Sequence, residues 1–339
     1  SEVTPGQVGD ARLVELLHQA ELDNDHVILE VSLENLAWTQ RAMGLVDQVV
    51  IICSSVPDAD EEALIHRATG MVPELTPVWL GANHPPEVTR PAGTPALRER
   101  FGVDEVHHIR NTSSEDLGRI ARLAAGRGVA LVLGGGGARG FAHVGVVQAL
   151  EEFGVPIDRI AGASIGAAIG AGLAQRVEPT RRIDVVASQF TGLLDYTIPV
   201  VSLVKGERIT ANIIDQFGGY DIEDLWLPFT CVSTNLTTSL VHEHRRGPTD
   251  VAVRASVAIP GVLPPVPIGD ELHIDGGVLD NLPVDLVDGD PSIDTIIAVD
   301  VTPPRGPRAS ADYGLSVSGW QALRQHLGKS RSDFPGVVT

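Results

Sequence analysis

The chain has 339 residues, of which 43% are hydrophobic, 20% charged and 4% aromatic. That length suits two domains, and the apolar content supports a packed core, which excludes a disordered chain. Its 25 basic against 44 acidic residues leave a net charge of -19, so nucleic-acid phosphates and anionic lipid surfaces repel it and no nucleic-acid partner is expected. No run reaches the roughly 18 consecutive apolar residues of a membrane span. Ser1 to Asp10 lack the basic start and apolar core of a signal peptide. Cys53 and Cys231 each lie in an apolar run, so buried thiols in a reducing compartment are expected, not a disulfide. The chain starts without Met and stops as an apolar run begins after Pro335, so a longer parent protein is expected.

In chain order, Val27 to Val31, Val49 to Cys53, Pro77 to Leu80 and Val106 to His108 read as buried strands. Leu36 to Met43, Asp60 to Thr69 and Ser114 to Ala124 carry helical spacing between or after them. This βαβα alternation predicts a parallel sheet with helices packed on it. Ser113 offers an N-cap to the last of these helices and Gly126 a stop, which closes a first unit at residues 1–127.

A second unit opens with Val129 to Leu133, a strand-length apolar run, and then Gly134-Gly135-Gly136-Gly137-Ala138-Arg139-Gly140. Phe141 to Phe153 follows as a helix with an apolar stripe at Phe141, Val144, Val147 and Leu150 and a stop at Gly154. Ile157 to Ala161 reads as a strand and Ile165 to Gln175, rich in Ala and Gly, as a closely packed helix. Phe229 to Ser233 and Ser239 to Glu243 read as strands and Val251 to Ala258 as a helix. Pro260 to Pro267 must be an ordered loop, because proline lacks the donor and fixes φ. His273 to Gly277 falls on a short strand, and Ile293 to Asp300 is one more.

Between the second unit's first two strands and their helices lie two glycine-rich turns. Gly162-Ala163-Ser164-Ile165-Gly166 is a G-x-S-x-G nucleophile elbow, placed between a strand and a helix as its chemistry requires. Gly162 and Gly166 make room for a sharp turn, and the following helix N-terminus favours a developing negative charge on Ser164. The same five residues also read as a plain close-packed turn. The earlier loop leaves backbone N–H groups unshielded in one small space, as an oxyanion hole needs. Arg139 within it either locks the loop or attracts an anion.

The loop has a second reading from another class. Gly135-x-Gly137-x-x-Gly140 satisfies the dinucleotide pattern, with Asp158 near the distance of a ribose-binding acid. That would make the chain a nucleotide- or dinucleotide-binding regulatory module. Asp158 precedes the apolar part of its strand, however, whereas the ribose acid closes a strand. A Walker A loop fails because Phe141 and Ala142 stand where Lys and Ser or Thr are needed.

A serine needs a base. After Asp275 the only histidine is His326, so an ordinary Ser, Asp, His order is poorly supported. Asp275-Gly276-Gly277 ends a strand before a tight turn, which either presents a carboxylate or bonds its own backbone. His107-His108 and His242-x-His244 offer metal-ligand types, but no third ligand at suitable spacing is evident, so no metal site and no cofactor are expected.

GGGGARG, GASIG and DGG, in that order, resemble the patatin-like phospholipases. The similarity extends to Arg254 to Pro260, Pro264-Pro265 and Asp280 to Val284, and covers roughly residues 128–302. It implies a three-layer α/β/α hydrolase domain with a mainly parallel sheet at residues 128–310, followed by a tail at 311–339. It also implies a Ser-Asp dyad without histidine, with Ser164 as nucleophile and Asp275 as base. Gly135, Gly136 and Gly137, with Arg139 and Gly140, correspond to the oxyanion element, and Gly276 and Gly277 complete the DGG turn. The implied activity is hydrolysis of acyl esters in a phospholipid or lysophospholipid. The implied location is cytoplasmic, with transient contact at the inner membrane face. Trp38 to Arg41, Val46 to Val49 and Val106 to Arg110 resemble the segment preceding this domain in the neuropathy target esterase group. That likeness implies a smaller Rossmann-like α/β domain of structural or regulatory role at 1–127, and cyclic-nucleotide-binding-like domains further upstream in the whole protein.

Overall fold

The computed structural model of the chain describes residues 8–31, 35–176, 202 and 204–302. After helix α1 (Val8–Asp23) and α2 (Leu36–Met43), a three-stranded parallel sheet forms in the order β1 (Val49–Ser54), β2 (Val78–His84), β3 (Glu105–Arg110). Central β2 is buried along nearly its whole length, whereas edge strand β1 alternates buried Val49 and Cys53 with exposed Val50 and Ile52. Helices α3 (Ala59–Thr69) and α4 (Thr94–Phe101) supply Ile65 and Phe101 to a core with Met43 and Leu80. Asp58 caps α3 by accepting from the amides of Asp60 and Glu61.

Helix α5 (Ser114–Ala124) leads out of this sheet and packs on both β3 and β4 (Gly128–Leu133), the first strand of a second sheet. There β4 runs parallel between β10 (Ile293–Val299) and β5 (Arg159–Ala163), and β5 runs parallel to β6 (Phe229–Asn235). Strand β6 also pairs antiparallel with β7 (Leu240–His244) and β9 (Glu271–Asp275), and β9 with β8 (Val266–Ile268). Five of the eight pairings among the described residues are parallel, and the antiparallel three gather around β6 and β9.

A strand has only two edges. β7 overlaps both β5 and β9 along β6, so β5 and β9 must share the opposite edge. They meet there end to end: Ala163 is opposite Val232 and Asp275 is opposite Ser233.

One face of this sheet is covered by α6 (Phe141–Glu152), α7 (Ile165–Ala174), α8 (Glu207–Phe217) and α9 (Thr249–Ser256), which join Leu131, Leu133, Ile160 and Cys231 in one cluster. Among the described residues, Leu286 and Val287 cover Ala130, Val132, Ala161 and Val232 on the other face. Helix α7 is buried at every position, so it is apolar all round and not merely along a stripe. A Cβ on Gly170 would stand 3.0 Å from Ile160 and 3.1 Å from Phe229, so glycine is what lets this helix lie on the strands.

Two expectations need correction. Val27 to Val31 forms no strand: it pairs with nothing in either sheet and Ile28 is 91% exposed. An apolar run becomes a strand only where a sheet edge receives its backbone groups, and none does so here. Nor is Pro260 to Pro267 loop throughout: Val266 and Pro267 belong to β8, a short strand at the sheet edge paired with β9, where a proline's missing donor is tolerated. The tail at 311–339 lies outside the described residues.

Polar contacts join the two sheets. Arg159 on β5 donates to Glu105 on β3 at 3.1–3.2 Å, and the amide of Thr94 donates to Asp224 at 2.9 Å. Asp158 is fully buried and accepts from Arg122 of α5 at 2.6 and 3.0 Å and from the amide of Val129 at 3.0 Å. This acid therefore anchors α5 to the β4 and β5 entry. Arg122→Ala leaves its carboxylate buried with one donor and is expected to cost about 2–4 kcal/mol. A urea melt should show the loss, and an unchanged midpoint would show that the pair contributes nothing to stability.

Candidate active site

Ser164 stands between β5 and α7 with φ +54° and ψ -126°, a conformation that non-glycine residues avoid. Close packing on both sides enforces it. A Cβ on Gly162 would lie 2.6 Å from the Gly166 carbonyl oxygen, and one on Gly166 would strike the Leu133 carbonyl. Both glycines are thus required by the close backbone approach. The Ser164 amide donates to Ser256 Oγ of α9 at 2.9 Å, which ties the turn to a second helix.

The Ser164 hydroxyl donates to Asp275 Oδ2 at 2.6 Å, and both residues are buried. Asp275 Oδ1 accepts from the Gly277 amide at 2.8 Å, while the Asp275 amide donates to the Ala258 carbonyl. Both readings of the DGG turn thus hold at once: the carboxylate bonds its own turn through one oxygen and presents the other to the serine. Burial pushes the Asp275 carboxyl up to about 6, against the opposing pull of the hydrogen bonds from Ser164 and Gly277. No histidine of the described residues bonds to either side chain, and His326 lies outside them.

The glycine loop passes directly beside this pair. A Cβ on Gly135 would lie 3.1 Å from the Ser164 Cβ, and one on Gly140 would collide with Ile165. Gly135 itself needs correction as an oxyanion donor, because its amide donates to the Asn281 carbonyl at 2.9 Å. The amides of Gly136 and Gly137 precede or open the 3-10 turn Gly137–Gly140 and make no hydrogen bond among the described residues. Arg139 is tied to the loop and to the chain after β10: its amide donates to the Gly136 carbonyl and its Nε to the Val301 carbonyl, at 3.2 and 3.1 Å.

Ser256 and Asn281 were not singled out by their chemistry. Asn281 grips the loop from outside, accepting from the Gly135 amide and donating Nδ2 to the Gly135 carbonyl at 3.3 Å. His143, fully buried, places Nε2 2.8 Å from the Gly134 carbonyl. Nothing in local sequence pattern ties these residues to the loop, since their partners lie on other elements. Asp158, the acid of the dinucleotide reading, is occupied by Arg122 and Val129 as described above. The histidine pair also differs from expectation. His242 has two neighbours of metal-ligand type in space, Glu271 and His273.

The fold and the site define a class: a mixed α/β protein with a strained strand-to-helix turn whose serine contacts a buried carboxylate. Residues 131–288 match the family model described as Patatin-like phospholipase. Patatin-like phospholipase domain-containing protein 6 of Pongo abelii is 34% identical over 359 residues, covering 94% of this chain and 26% of that protein. Lysophospholipase NTE1 of Cryptococcus neoformans is 43% identical over 217 residues, covering 60% of this chain and 13% of that protein. Neuropathy target esterase sws of Drosophila melanogaster is 32% identical over 356 residues, covering 92% and 24%. This chain belongs to the patatin-like phospholipase family. It spans about a quarter of the length of the first of these relatives. Among solved structures, VipD from Legionella pneumophila aligns over 46% of each chain at 17% identity with a TM-score of 0.34, too slight a likeness to bear on the fold.

The raised carboxyl has a consequence for stability. The folded state holds the Asp275 proton more tightly than the unfolded chain does, so the cost of ionising it is absent below about pH 4 and complete above about pH 6. Asp275→Asn can keep the Gly277 bond through its Oδ1 and the serine contact in reverse, Nδ2 donating to Ser164 Oγ, and without the buried charge it is expected to be more stable than the parent at pH 8, by roughly 2–3 kcal/mol. The gain should shrink towards zero as the pH falls below 4. Denaturant midpoints at the two pH values check this, and a less stable variant at pH 8 would refute it.

Proposed function

We propose that this chain hydrolyses acyl ester bonds of phospholipids or lysophospholipids through a Ser164–Asp275 dyad. The observation that carries the reading is the 2.6 Å hydrogen bond from Ser164 Oγ to Asp275 Oδ2, at the head of a buried helix and beside free loop amides. The printed names of the relatives, a lysophospholipase and an esterase among them, support the same chemistry.

In this mechanism Ser164 Oγ attacks the ester carbonyl carbon while Asp275 takes the hydroxyl proton. A carboxylate raised to about 6 is a better base than an ordinary one and is still ionised at neutral pH. The carbonyl oxygen, now negative, receives the N–H groups of Gly136 and Gly137, which are held in place before the reaction by Asn281 and Arg139. Collapse returns the proton from Asp275 to the leaving alcohol oxygen and leaves an acyl-serine. Water then attacks that ester, Asp275 takes its proton, and the fatty acid leaves as Ser164 is restored.

The surroundings suit a lipid. Exposed apolar side chains adjoin the site segments in sequence: Phe141 beside Gly140, Ile259 beside Ala258, and Val278 with Leu279 after Gly277. Such a rim accepts acyl chains or rests against a bilayer surface. Among the described residues no helix is long and apolar enough to cross a membrane. The segment at 1–127 has its own parallel sheet, and we assign it a structural or regulatory role.

A serine-directed fluorophosphonate should label the parent protein and not Ser164→Ala. Asp275→Asn should remove nearly all lysophospholipid turnover, because an amide cannot accept the proton, whereas His326→Ala should stay within a few-fold of the parent. Labelling that persists in Ser164→Ala, or full turnover in Asp275→Asn, would overturn the proposal. Burial brings the carboxylate limb of the pH profile into the range where a histidine titrates, so these variants, and not the profile, separate dyad from triad.

A Cβ on Gly136 would run into the Val301 side chain, so Gly136→Val must displace the loop. The expected result is a folded protein whose turnover is lower by about 10²-fold or more. Unchanged turnover would remove the loop from the mechanism.

A further inference from the structure

We propose that His242, Glu271 and His273 form a site for one divalent ion of the zinc class, which clips β7 to β9 across β6. Each offers one ligand atom, and the three atoms lie within 4.8 Å of one another. An ion bound at 2.0–2.1 Å in tetrahedral geometry would draw them to about 3.4 Å apart. His242 and Glu271 are only partly buried, so their side chains have room to close that gap.

His273 gives the strongest sign. It is fully buried, yet its Nε2 has no hydrogen-bond partner, and the nearest carboxylate oxygen, on Glu271, stands 3.7 Å away. That is beyond a hydrogen bond, and a buried imidazole nitrogen without a partner is costly. Its other nitrogen is engaged: Nδ1 lies 2.9 Å from Ser233 Oγ, which in turn lies 2.7 Å from His244 Nε2. With Nδ1–H donated to Ser233 and the hydroxyl donated on to His244, His273 Nε2 carries a free lone pair directed into the cluster. Glu271 is oriented too, its Oε2 accepting from Asn235 Nδ2 at 2.8 Å. Ligands held by such outer hydrogen bonds are the usual construction of metal centres.

The donor set selects the ion. Two imidazoles and one carboxylate are too few oxygens for calcium or magnesium and suit zinc, cobalt or nickel, with a fourth position left for water. The sequence showed only the His242-x-His244 pair. The other two ligands come from β9, which β6 brings alongside: Ser233 is opposite His242 on one edge, and Asn235 is opposite His273 on the other. The ion has no step in the ester chemistry proposed above, and the site stands or falls independently of it.

The test uses the whole chain, stripped with chelator and titrated with Zn²⁺ and with Co²⁺. The parent should take up one ion with the visible absorption of a low-symmetry cobalt site, and its melting temperature should rise with zinc. His242→Ala and Glu271→Gln alter partly exposed side chains, so both should fold and melt as the metal-free parent does. Each should weaken binding at least tenfold and lose the zinc-dependent rise. No rise in the parent, or equal affinity in the parent and both variants, would overturn the site, the second outcome placing the ion on other histidines of the chain.

Discussion

The geometry of this protein depends on one shared sheet edge. Strand β6 carries β5 along the first part of an edge and β9 along the rest, running in opposite directions, so their C-terminal ends meet. Ala163 and Asp275 occupy consecutive positions on β6, opposite Val232 and Ser233. The residue after Ala163 is Ser164, and its hydrogen bond to Asp275 follows. Because side chains alternate along a strand, a slip of one residue in β9 would turn Asp275 to the other face and remove the carboxylate from the serine.

The two carboxylates Asp116 and Asp275 behave oppositely although both are buried. Burial opposes the charge of Asp116, but Arg110 and Arg176 outweigh it with bonds of 2.8 and 2.7 Å and hold its carboxyl below the ordinary value. Asp275 receives only a hydroxyl and one amide, so burial wins and its carboxyl rises. Asp116 is paired with two guanidinium groups, and Asp275 with no cation among the described residues. The glycine loop follows a similar rule, with the Gly135 amide used for structure and the next two left open.

On its other edge β6 aligns β7, so one strand organises two clusters: the dyad at the end of β9 and the histidine cluster two residues earlier. An ion in the second cluster would hold β9 to β7 through their side chains as well as through the β6 ladder. The register that places Asp275 would then be fixed from both edges.

The motifs with internal chemistry were legible from residues alone. Gly162 and Gly166 around Ser164 imply a strained turn, because only a missing side chain allows that backbone approach, and the continuous apolar run before the glycine loop implies a strand covered on both faces. Most strands and helices were legible for the same reason, since 2-fold and 3.6-fold apolar periods are local properties. Val27 to Val31 misled because an apolar run does not say whether a sheet edge will take it. The occupied Gly135 amide, the grip of Asn281, the anchoring of Ser164 by Ser256 and the meeting of His242 with Glu271 and His273 were decided only by tertiary structure. Each joins residues on different elements, and a hydrogen bond between them depends on how strands are ordered and registered, which no local spacing encodes.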